Sequence, residues 1–146
     1  MALKTEAIGK EYPPVTYEVG REKIREYAYA VGEQNLVHHD PEAARAAGFR
    51  NVVAPPMFCV VYSAGAMAPA VLDPELGINL AMMVHGSQEF EWGEPVVAGD
   101  VVTTGVTCKE IFEKNGMKFY VFESQSQNQD GQTTVKGTWT NIVRGG

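Results

Sequence analysis

Residues 54–69, which read APPMFCVVYSAGAMAP, decide the architecture that this chain is expected to adopt. The tandem prolines Pro55 and Pro56 favour extended backbone followed by a helix start, because proline suits the first helical position. Apolar side chains then follow on nearly every side, a distribution that is typical of a helix wrapped by other elements. We expect Pro69 to end this helix, since proline cannot continue the hydrogen-bond ladder. The stretch therefore predicts one long central helix.

The half of the chain beyond this helix has the alternating pattern of β-strands. Four strands are predicted, over Leu80–Trp92, Val101–Phe112, Met117–Gln127 and Thr133–Val143. Asn115-Gly116 and Asp130-Gly131 separate the last three strands, and both dipeptides favour the positive backbone angles of hairpin turns. The sequence therefore predicts an antiparallel meander.

The half before the helix contributes shorter elements. After an irregular lead-in over Ala7–Pro14, the residues Val15–Val19 alternate between apolar and polar in the manner of a strand. From Arg21 onward, apolar residues recur at three- and four-residue spacing, which predicts an amphipathic helix. Gly32 is expected to end that helix, because glycine readily adopts the left-handed conformation found after helix ends.

One long helix combined with an antiparallel meander indicates a curved sheet wrapped around the helix, the α+β arrangement called the hot-dog fold. The chain is long enough for one continuous core, and we expect residues 1–146 to form a single domain. Such a sheet covers only part of its helix and leaves a free strand edge. We therefore expect a dimer or larger assembly.

Composition excludes several classes of partner. The net charge of -6 argues against a nucleic-acid surface, which needs clustered Lys and Arg. The most apolar run, Val53–Val71, is broken by prolines and is too short to span a bilayer. Only two cysteines occur, Cys59 and Cys108, and residues 1–4 carry no export signal, so we expect a location in the reducing cytoplasm.

The segment before the central helix concentrates the reactive side chains. Residues 32–58 read GEQNLVHHDPEAARAAGFRNVVAPPMF, and a short helix is expected inside them over Pro41–Ala47. Glu33, Asn35 and His38 fall in the loop that precedes this short helix. A non-helical loop can bring a carboxylate and an imidazole onto one substrate atom, where the two groups share general acid and base work.

Simpler interpretations of these residues stay open. A loop Glu33 can be a solvated charge, His38 a structural hydrogen-bonding group, and Asn35 plain turn chemistry. His38, His39 and Asp40 imitate a metal cluster, but neighbouring side chains diverge, so we expect no metal and no cofactor.

The pattern of this segment resembles that of the MaoC-type R-specific enoyl-thioester hydratases and dehydratases. Their loop reads Gly-Asp, any residue, Asn-Pro, an aliphatic residue and His, followed shortly by Asp-Pro-Glu. The positions that agree here are Gly32, Asn35, Val37, His38, Asp40, Pro41 and Glu42. Further downstream, residues 85–90 and 95–100 resemble the amino-terminal, fatty-acid-synthase-type dehydratase subgroup. In that subgroup the domain is often one half of a double hot-dog or one subunit of a heterodimer.

Three positions depart from the family pattern. The family's aspartate is replaced by Glu33 and its loop proline by Leu36. Eighteen residues after His38, where active members place a glycine whose amide stabilises the thioester enolate, this chain has Pro56, which has no amide hydrogen.

The resemblance implies roles for particular residues. Glu33 and His38 would activate the water jointly, with Asn35 fixing or contacting one of them. The expected substrate-binding residues are Pro56, Met57, Phe58, Cys59 and Arg50. Among these, the amide of Met57 or Phe58 would partly replace the glycine donor at the helix start. Arg50 would meet a pantetheine or nucleotide phosphate unless it is an ordinary surface residue, and Cys59 has the alternative of being a small core residue.

Two functions remain after this reasoning. The first is hydration or dehydration of an enoyl or 3-hydroxyacyl thioester of coenzyme A or acyl carrier protein. The second is a non-catalytic, acyl-binding hot-dog subunit that supports an active partner, in a homodimer or a heteromer. Glu33 and His38 favour the first function, whereas Pro56 and the subgroup resemblance favour the second.

Overall fold

The computed structural model describes residues 3–145 of the chain. Its helices and strands follow one another in the order β1 (Glu11–Glu18), α1 (Arg21–Ala30), α2 (Pro41–Ala46), α3 (Cys59–Val71), β2 (Met83–Trp92), β3 (Val101–Lys114), β4 (Met117–Gln127) and β5 (Thr133–Val143). Short 3-10 turns lie at Thr5–Ala7, Leu36–His38, Pro56–Phe58 and Leu80–Met82.

The five strands form one antiparallel sheet in the order β1-β3-β4-β5-β2. The meander β3-β4-β5 is the one that the sequence predicts, and Asn115 and Gly116 turn its first hairpin with φ of 54° and 73°. Helix α3 packs against β1, β3 and β4 on one face of the sheet. The α+β arrangement of an antiparallel sheet around a central helix is therefore confirmed.

The central helix differs from its prediction in extent and in exposure. It begins at Cys59 after the 3-10 turn and continues through Pro69 to Val71, so the prediction that Pro69 ends it is wrong. Both Pro69 and Gly65, whose carbonyl loses its helical partner, lie on the exposed side, where water can replace the bond. The expectation of a helix wrapped on nearly every side is also wrong, because Ala64 and Ala68 share that exposed side.

The outer strands also start elsewhere than predicted. Strand β1 begins at Glu11 and includes Pro13 and Pro14, which were expected in the lead-in. Prolines are tolerated there because β1 is an edge strand and its register shifts between Tyr12 and Val15. At the other edge, residues 80–82 form a 3-10 turn capped by the side chain of Asn79, and β2 starts only at Met83.

The two short helices follow the sequence closely. In α1, Ile24 and Ala28 are fully buried, as the amphipathic pattern predicts. In α2, the Asp40 side chain accepts a hydrogen bond from the backbone N–H of Glu42, at 3.0 Å, and so caps the helix. Within residues 3–145, no helix is both long enough and apolar enough to span a membrane.

The core consists of two clusters that meet along α3. The second half of α3 packs with β3, β4 and β5 through side chains such as Met67, Phe122 and Trp139. Its first turns, with Phe58 and Tyr62, pack against α1 and against the segments around residues 52 and 96. The second cluster therefore holds the segments that surround residues 32–40, which we call the reactive loop.

Asp100 fixes the loop between β2 and β3. Its carboxylate is fully buried and accepts hydrogen bonds from the Val97 N–H at 3.0 Å, from Arg50 at 2.8 Å and from Gln129 at 2.9 Å. Burial opposes ionisation of this carboxyl, but the bonds from Val97, Arg50 and Gln129 outweigh burial and hold its pKa below the ordinary value. The charged carboxylate is thus the organising group of this loop.

The loop held by Asp100 is attached in turn to residues 52–54. Val53 and Val97 form an isolated antiparallel bridge. The Ala54 N–H donates to the Val96 carbonyl at 2.8 Å, and the Ala98 N–H donates to the Val52 carbonyl at 3.0 Å. Residues 52–54 are therefore held rigidly between this loop and the start of α3.

Replacing Asp100 with asparagine should lower the free energy of unfolding by about 2 kcal/mol at neutral pH. The amide group of Asn turns a donor toward Val97 or Arg50 where the structure needs an acceptor, and a hydrogen bond to a charged group contributes about 1.5–3 kcal/mol. Urea denaturation measures this difference.

The same pair of proteins also tests the pH dependence. A carboxyl whose pKa is lowered by folding stabilises the protein above its unfolded pKa of about 3.9 and loses that contribution as pH falls through the folded value. The stability gap between Asp100→Asn and the wild type should therefore narrow below about pH 4. The control is Asp130→Asn, an exposed carboxylate in the neighbouring turn, which should change stability by less than about 0.5 kcal/mol.

Candidate active site

The reactive loop is shaped by its own polar side chains. Gly32 has φ of 73°, and the next amide, that of Glu33, donates to the Ala28 carbonyl of α1 at 2.8 Å. The Glu33 carboxylate accepts from the Asn35 N–H at 3.0 Å, and the Asn35 side chain accepts from the Val37 N–H at 3.1 Å. The first bond shapes the backbone before the 3-10 turn Leu36–His38, and the second caps the start of this turn, which carries His38.

His38 is buried, and a backbone carbonyl fixes the tautomer of its ring. Its side chain is 8% exposed, and its Nδ1 lies 2.6 Å from the Val53 carbonyl oxygen. A carbonyl oxygen can only accept, so Nδ1 carries the proton and Nε2 of the neutral ring keeps its lone pair. The Val53 N–H donates to the Val37 carbonyl at 2.9 Å. The reactive loop and the extended residues 52–54 therefore each donate a hydrogen bond to the other.

A cavity of about 590 Å³ opens beside His38. Its walls are mostly apolar. They come from the reactive loop, from Phe49 and residues 53–56, from the start of α3, from residues 92–96 at and after the end of β2, and from Thr134 of β5. The side chains of Val37, Phe49, Val53 and Val96 are among them. An imidazole base in an apolar, concave wall is the arrangement expected of a catalytic site for a substrate with an apolar part.

A larger concavity, of about 940 Å³, lies over the sheet. Glu11, Glu89, Glu91 and Glu123 line it together with Lys136, and neither His38 nor any other histidine is part of its wall. The smaller cavity has the chemistry of an active site, and we place the candidate site there.

Four of the predicted site residues line the same cavity. They are Asn35, His38, Pro56 and Cys59. Glu33 is not among the residues that line this cavity, and its carboxylate is bonded to the Asn35 amide. The pairing of Glu33 with His38 on one water stays a prediction.

The other predicted binding residues lie outside the cavity lining. Phe58 is fully buried between Tyr17 and Tyr27, so its side chain does not reach a substrate, and its N–H is occupied by the Pro55 carbonyl at 2.9 Å. Met57 is largely exposed, and Arg50 is paired with Asp100 while its side chain stays 65% exposed. The sequence could not reveal this separation, because adjacent residues of a 3-10 turn point in different directions.

Cys59 is a buried wall residue. Burial raises the pKa of its thiol to about 11, although a hydrogen bond from Trp92 acts in the opposite direction. The thiol is therefore neutral at physiological pH and is not poised as a nucleophile. The indole N–H of Trp92 also donates to the Pro56 carbonyl at 2.8 Å, which ties the end of β2 to the helix start.

Sequence reasoning missed three residues that shape this site. Trp92 and Thr134 line the cavity from β2 and β5, and Tyr62 lines it from α3. Tyr62 falls in the apolar run that the sequence assigns to the central helix, and Trp92 in an alternating strand. Only the folded sheet shows that these side chains face the reactive loop.

His39 is a further residue with a role in the loop. Its Nε2 lies 2.7 Å from the Glu33 carbonyl oxygen and must donate to it. Its ring packs on Tyr29 of α1, with 4.7 Å between the ring centroids. Its buried Nδ1 has no hydrogen-bond partner among residues 3–145. His39 therefore bridges the end of α1 and the backbone of Glu33.

The chain is similar in sequence to dehydratase-type proteins over most of its length. Residues 6–136 match the profile of the family described as FAS1-like, dehydratase domain region. A UPF0336 protein of Saccharopolyspora erythraea is 42% identical over 146 residues, an alignment that covers 99% of this chain and 94% of that relative. A UPF0336 protein of Streptomyces avermitilis is 42% identical over 145 residues, an alignment that covers 99% of this chain and 97% of that relative.

Solved structures share the fold. A MaoC-like dehydratase superposes with a TM-score of 0.84 at 26% identity, covering 94% of this chain and 42% of that longer chain. The HadBC (3R)-hydroxyacyl-ACP dehydratase complex of Mycobacterium tuberculosis superposes with a TM-score of 0.78 at 29% identity. The match covers 96% of this chain and 99% of that chain. The R-hydratase PhaJ1 of Pseudomonas aeruginosa superposes with a TM-score of 0.74 at 19% identity, and the match covers 95% of this chain and 83% of that chain. At this identity the likeness shows a shared fold only. The predicted hot-dog fold is confirmed.

Replacing His39 with alanine should loosen the reactive loop, whereas His39→Gln should not. Alanine removes the bond to the Glu33 carbonyl, and one hydrogen bond contributes about 1 kcal/mol, enough to open the loop about fivefold more often. Glutamine retains an N–H donor at similar reach. Hydrogen exchange of the peptide spanning residues 33–40 measures the change.

The exposed His85 on β2 provides the matched control, since His85→Ala should leave exchange in this peptide as it is in the wild type. Equal exchange in His39→Ala and the wild type would show that the bond does not hold the loop.

Proposed function

Because this chain belongs to the FAS1-like dehydratase-region family, among the MaoC-like hot-dog dehydratases and hydratases, we propose that it hydrates an enoyl thioester or dehydrates the corresponding 3-hydroxyacyl thioester. Its hydratase-type relatives support this class of reaction at a general level. The particular residues and substrate are assigned from the site.

The observation that carries the proposal is His38 in the wall of its apolar cavity, with Nδ1 bonded to the Val53 carbonyl. Because Nδ1 is committed to the Val53 carbonyl, the Nε2 lone pair is the basic atom left to face a substrate. In hydration, Nε2 takes a proton from water while the oxygen bonds to C3 of the enoyl group. The electron pair of the double bond moves to the thioester carbonyl, which becomes an enolate. The proton that Nε2 took from water is then delivered to C2, so that the imidazole returns to its starting form.

Glu33 is the proposed second group on the same water, and Asn35 a positioning residue. The Asn35 N–H holds the Glu33 carboxylate, while the Asn35 side chain holds the turn that carries His38. Catalysis with this pair requires the Glu33 carboxylate to turn from its present hydrogen bond toward the cavity. A positioned proton-transfer group contributes about 10²- to 10⁴-fold to the rate.

The enolate needs a hydrogen-bond donor, and the helix start offers few. Pro56 lines the cavity but has no N–H, and the Phe58 N–H already donates to Pro55. The Met57 N–H is the remaining candidate of this turn. We therefore expect the enolate to be weakly stabilised compared with a site that presents glycine at the position of Pro56.

The thioester carrier is proposed to be coenzyme A or acyl carrier protein. Both present phosphate groups, and Arg50 keeps most of its side chain exposed while bonded to Asp100. Burial of the two unpaired thiols, Cys59 and Cys108, is compatible with the reducing cytoplasm that we propose as the location.

A second candidate function is favoured by specific observations. The Glu33 carboxylate lies outside the cavity lining, and Pro56 cannot donate, which suits an acyl-binding subunit that supports an active hot-dog partner. The sheet ends in two edge strands, β1 and β2, and one side of α3 is exposed, as an assembly would require. The similar HadBC structure is itself a complex. We propose a dimer or a heteromer in either case.

His38→Ala should lower the rate of crotonyl-coenzyme A hydration by about 10²- to 10⁴-fold if this chain is the enzyme. Glu33→Gln should have a loss of similar size, and the double variant should be no slower than either, since two groups that act on one water do not contribute additively. Absorbance of the enoyl thioester follows the reaction.

His85→Ala is the control, and it should retain wild-type activity because His85 is exposed and is not among the residues that line the cavity. Full activity in His38→Ala would contradict the proposed base. An inactive wild-type chain that co-purifies with a second hot-dog subunit would support the second candidate function.

Pro56→Gly should raise the hydration rate at least about tenfold. The substitution supplies an amide hydrogen where the cavity lacks one, and a single donor to an oxyanion is typically worth about 10²–10³ in turnover. The loss of proline rigidity should cost no more than about 1 kcal/mol of stability. Kinetics with crotonyl-coenzyme A and a thermal melt measure the two effects.

The matched control is Pro74→Gly, an exposed position in the loop after α3. It should reproduce any stability loss without the gain in rate. A rate that stays unmeasurable in both Pro56→Gly and the wild type, when no partner is present, would favour the supporting-subunit function.

A further inference from the structure

The cavity beside His38 has an open rim and a closed inner end. Pro56 and the residues 92–95 of its lining are exposed and form the rim. Three other lining residues, Cys59, Tyr62 and Thr134, are each no more than 3% exposed. A group that enters past the rim therefore meets Tyr62, the largest of these three side chains, at the buried end.

Tyr62 is held in place at both ends of its ring. The phenol donates to the Thr134 hydroxyl at 3.2 Å, and Thr134 in turn donates to the Ser126 carbonyl of β4 at 3.4 Å. The ring lies against Phe58, with 6.3 Å between centroids. Burial raises the pKa of Tyr62 to about 12, partly offset by the bond to Thr134, so the phenol stays neutral. The ring thus joins α3 to β5 through its hydroxyl and packs on Phe58.

We propose that Tyr62 is the residue that limits the length of the acyl chain accepted by this cavity. The inference rests on the proposed function, because it takes the cavity as the acyl site. An acyl group whose thioester lies at His38 extends its chain along the apolar wall until its end reaches the Tyr62 ring.

The close packing around Tyr62 limits the length of the acyl chain that the cavity can enclose. Protein interiors are close-packed, and inserting additional methylenes against a fixed side chain forces strained rotamers or backbone shifts. The Tyr62 ring packs on Phe58, which is fully buried, and the Tyr62 hydroxyl is held by Thr134, which is bonded in turn to the Ser126 carbonyl. An acyl chain longer than the cavity must either leave its end in water at the rim or displace this wall. In both cases the additional methylenes bring no gain in affinity.

The test is equilibrium binding of saturated acyl-coenzyme A, which cannot react. Affinities of butyryl-, octanoyl- and palmitoyl-coenzyme A are measured by calorimetry on the full-length wild type, Tyr62→Phe and Tyr62→Ala. In Tyr62→Ala, the ratio of palmitoyl to butyryl affinity should rise at least about tenfold over the wild type. A tenfold change corresponds to about 1.4 kcal/mol and to roughly two newly buried methylenes. Tyr62→Phe keeps the ring and should keep the wild-type ratio.

Two further variants isolate the effect. Tyr120→Ala removes an equally buried tyrosine from β4, in the cluster away from the cavity, and should leave the ratio at the wild-type value. Tyr62→Leu is the milder substitution should Tyr62→Ala fail to fold, and it should raise the ratio in the same direction.

The outcomes separate this inference from the function on which it rests. Binding of acyl-coenzyme A with a ratio that neither Tyr62→Ala nor Tyr62→Leu alters would overturn the role of Tyr62 and leave the acyl site standing. Absence of binding by the wild type for all three thioesters would overturn the acyl site itself, and the role of Tyr62 with it.

Discussion

The buried carboxylate of Asp100 is the constraint on which the geometry of the site depends. A charge without water around it must be satisfied by donors, and Val97, Arg50 and Gln129 supply them from three separate parts of the chain. These bonds hold the loop after β2 in one conformation. Because that loop forms the bridge to Val53, the same constraint fixes the carbonyl that sets the tautomer of His38. A buried carboxylate in the loop after β2 thereby helps to determine which nitrogen of a histidine carries the hydrogen.

The reactive loop itself is stabilised by short-range hydrogen bonds. Glu33 and Asn35 each accept from a backbone amide two residues ahead, and His39 ties the Glu33 carbonyl to α1. Such local bonds replace the helical ladder over a few residues and leave the backbone in a single shape. His38 is then presented by a rigid loop on one side and by the extended segment 52–54 on the other. Rigid support of this kind is what a proton-transfer group requires.

The cavity combines one histidine, the proposed base, with few hydrogen-bond donors for the enolate of the proposed reaction. An apolar wall with one imidazole suits a substrate that carries an acyl chain, yet the 3-10 turn begins with a proline and its Phe58 amide is already bonded. The same scaffold can serve as a slow enzyme or as the binding half of a heteromer. We expect the difference between these two proposed functions to lie in two positions, Glu33 and Pro56, and not in the fold.

The sequence by itself determined the elements and the chemistry of the loop. Apolar periodicity predicted α1, the meander and the central helix, and the residue types predicted a non-helical loop that holds Glu33, Asn35 and His38, because these features depend on near neighbours in the chain. Other features depend on residues that are distant in sequence. Tertiary structure decided that α3 continues through Pro69, since the exposed side can lose a hydrogen bond to water. It also decided that Phe58 and Arg50 lie outside the cavity while Trp92, Tyr62 and Thr134 line it, because the strand register and the bonds to Asp100 bring those segments together.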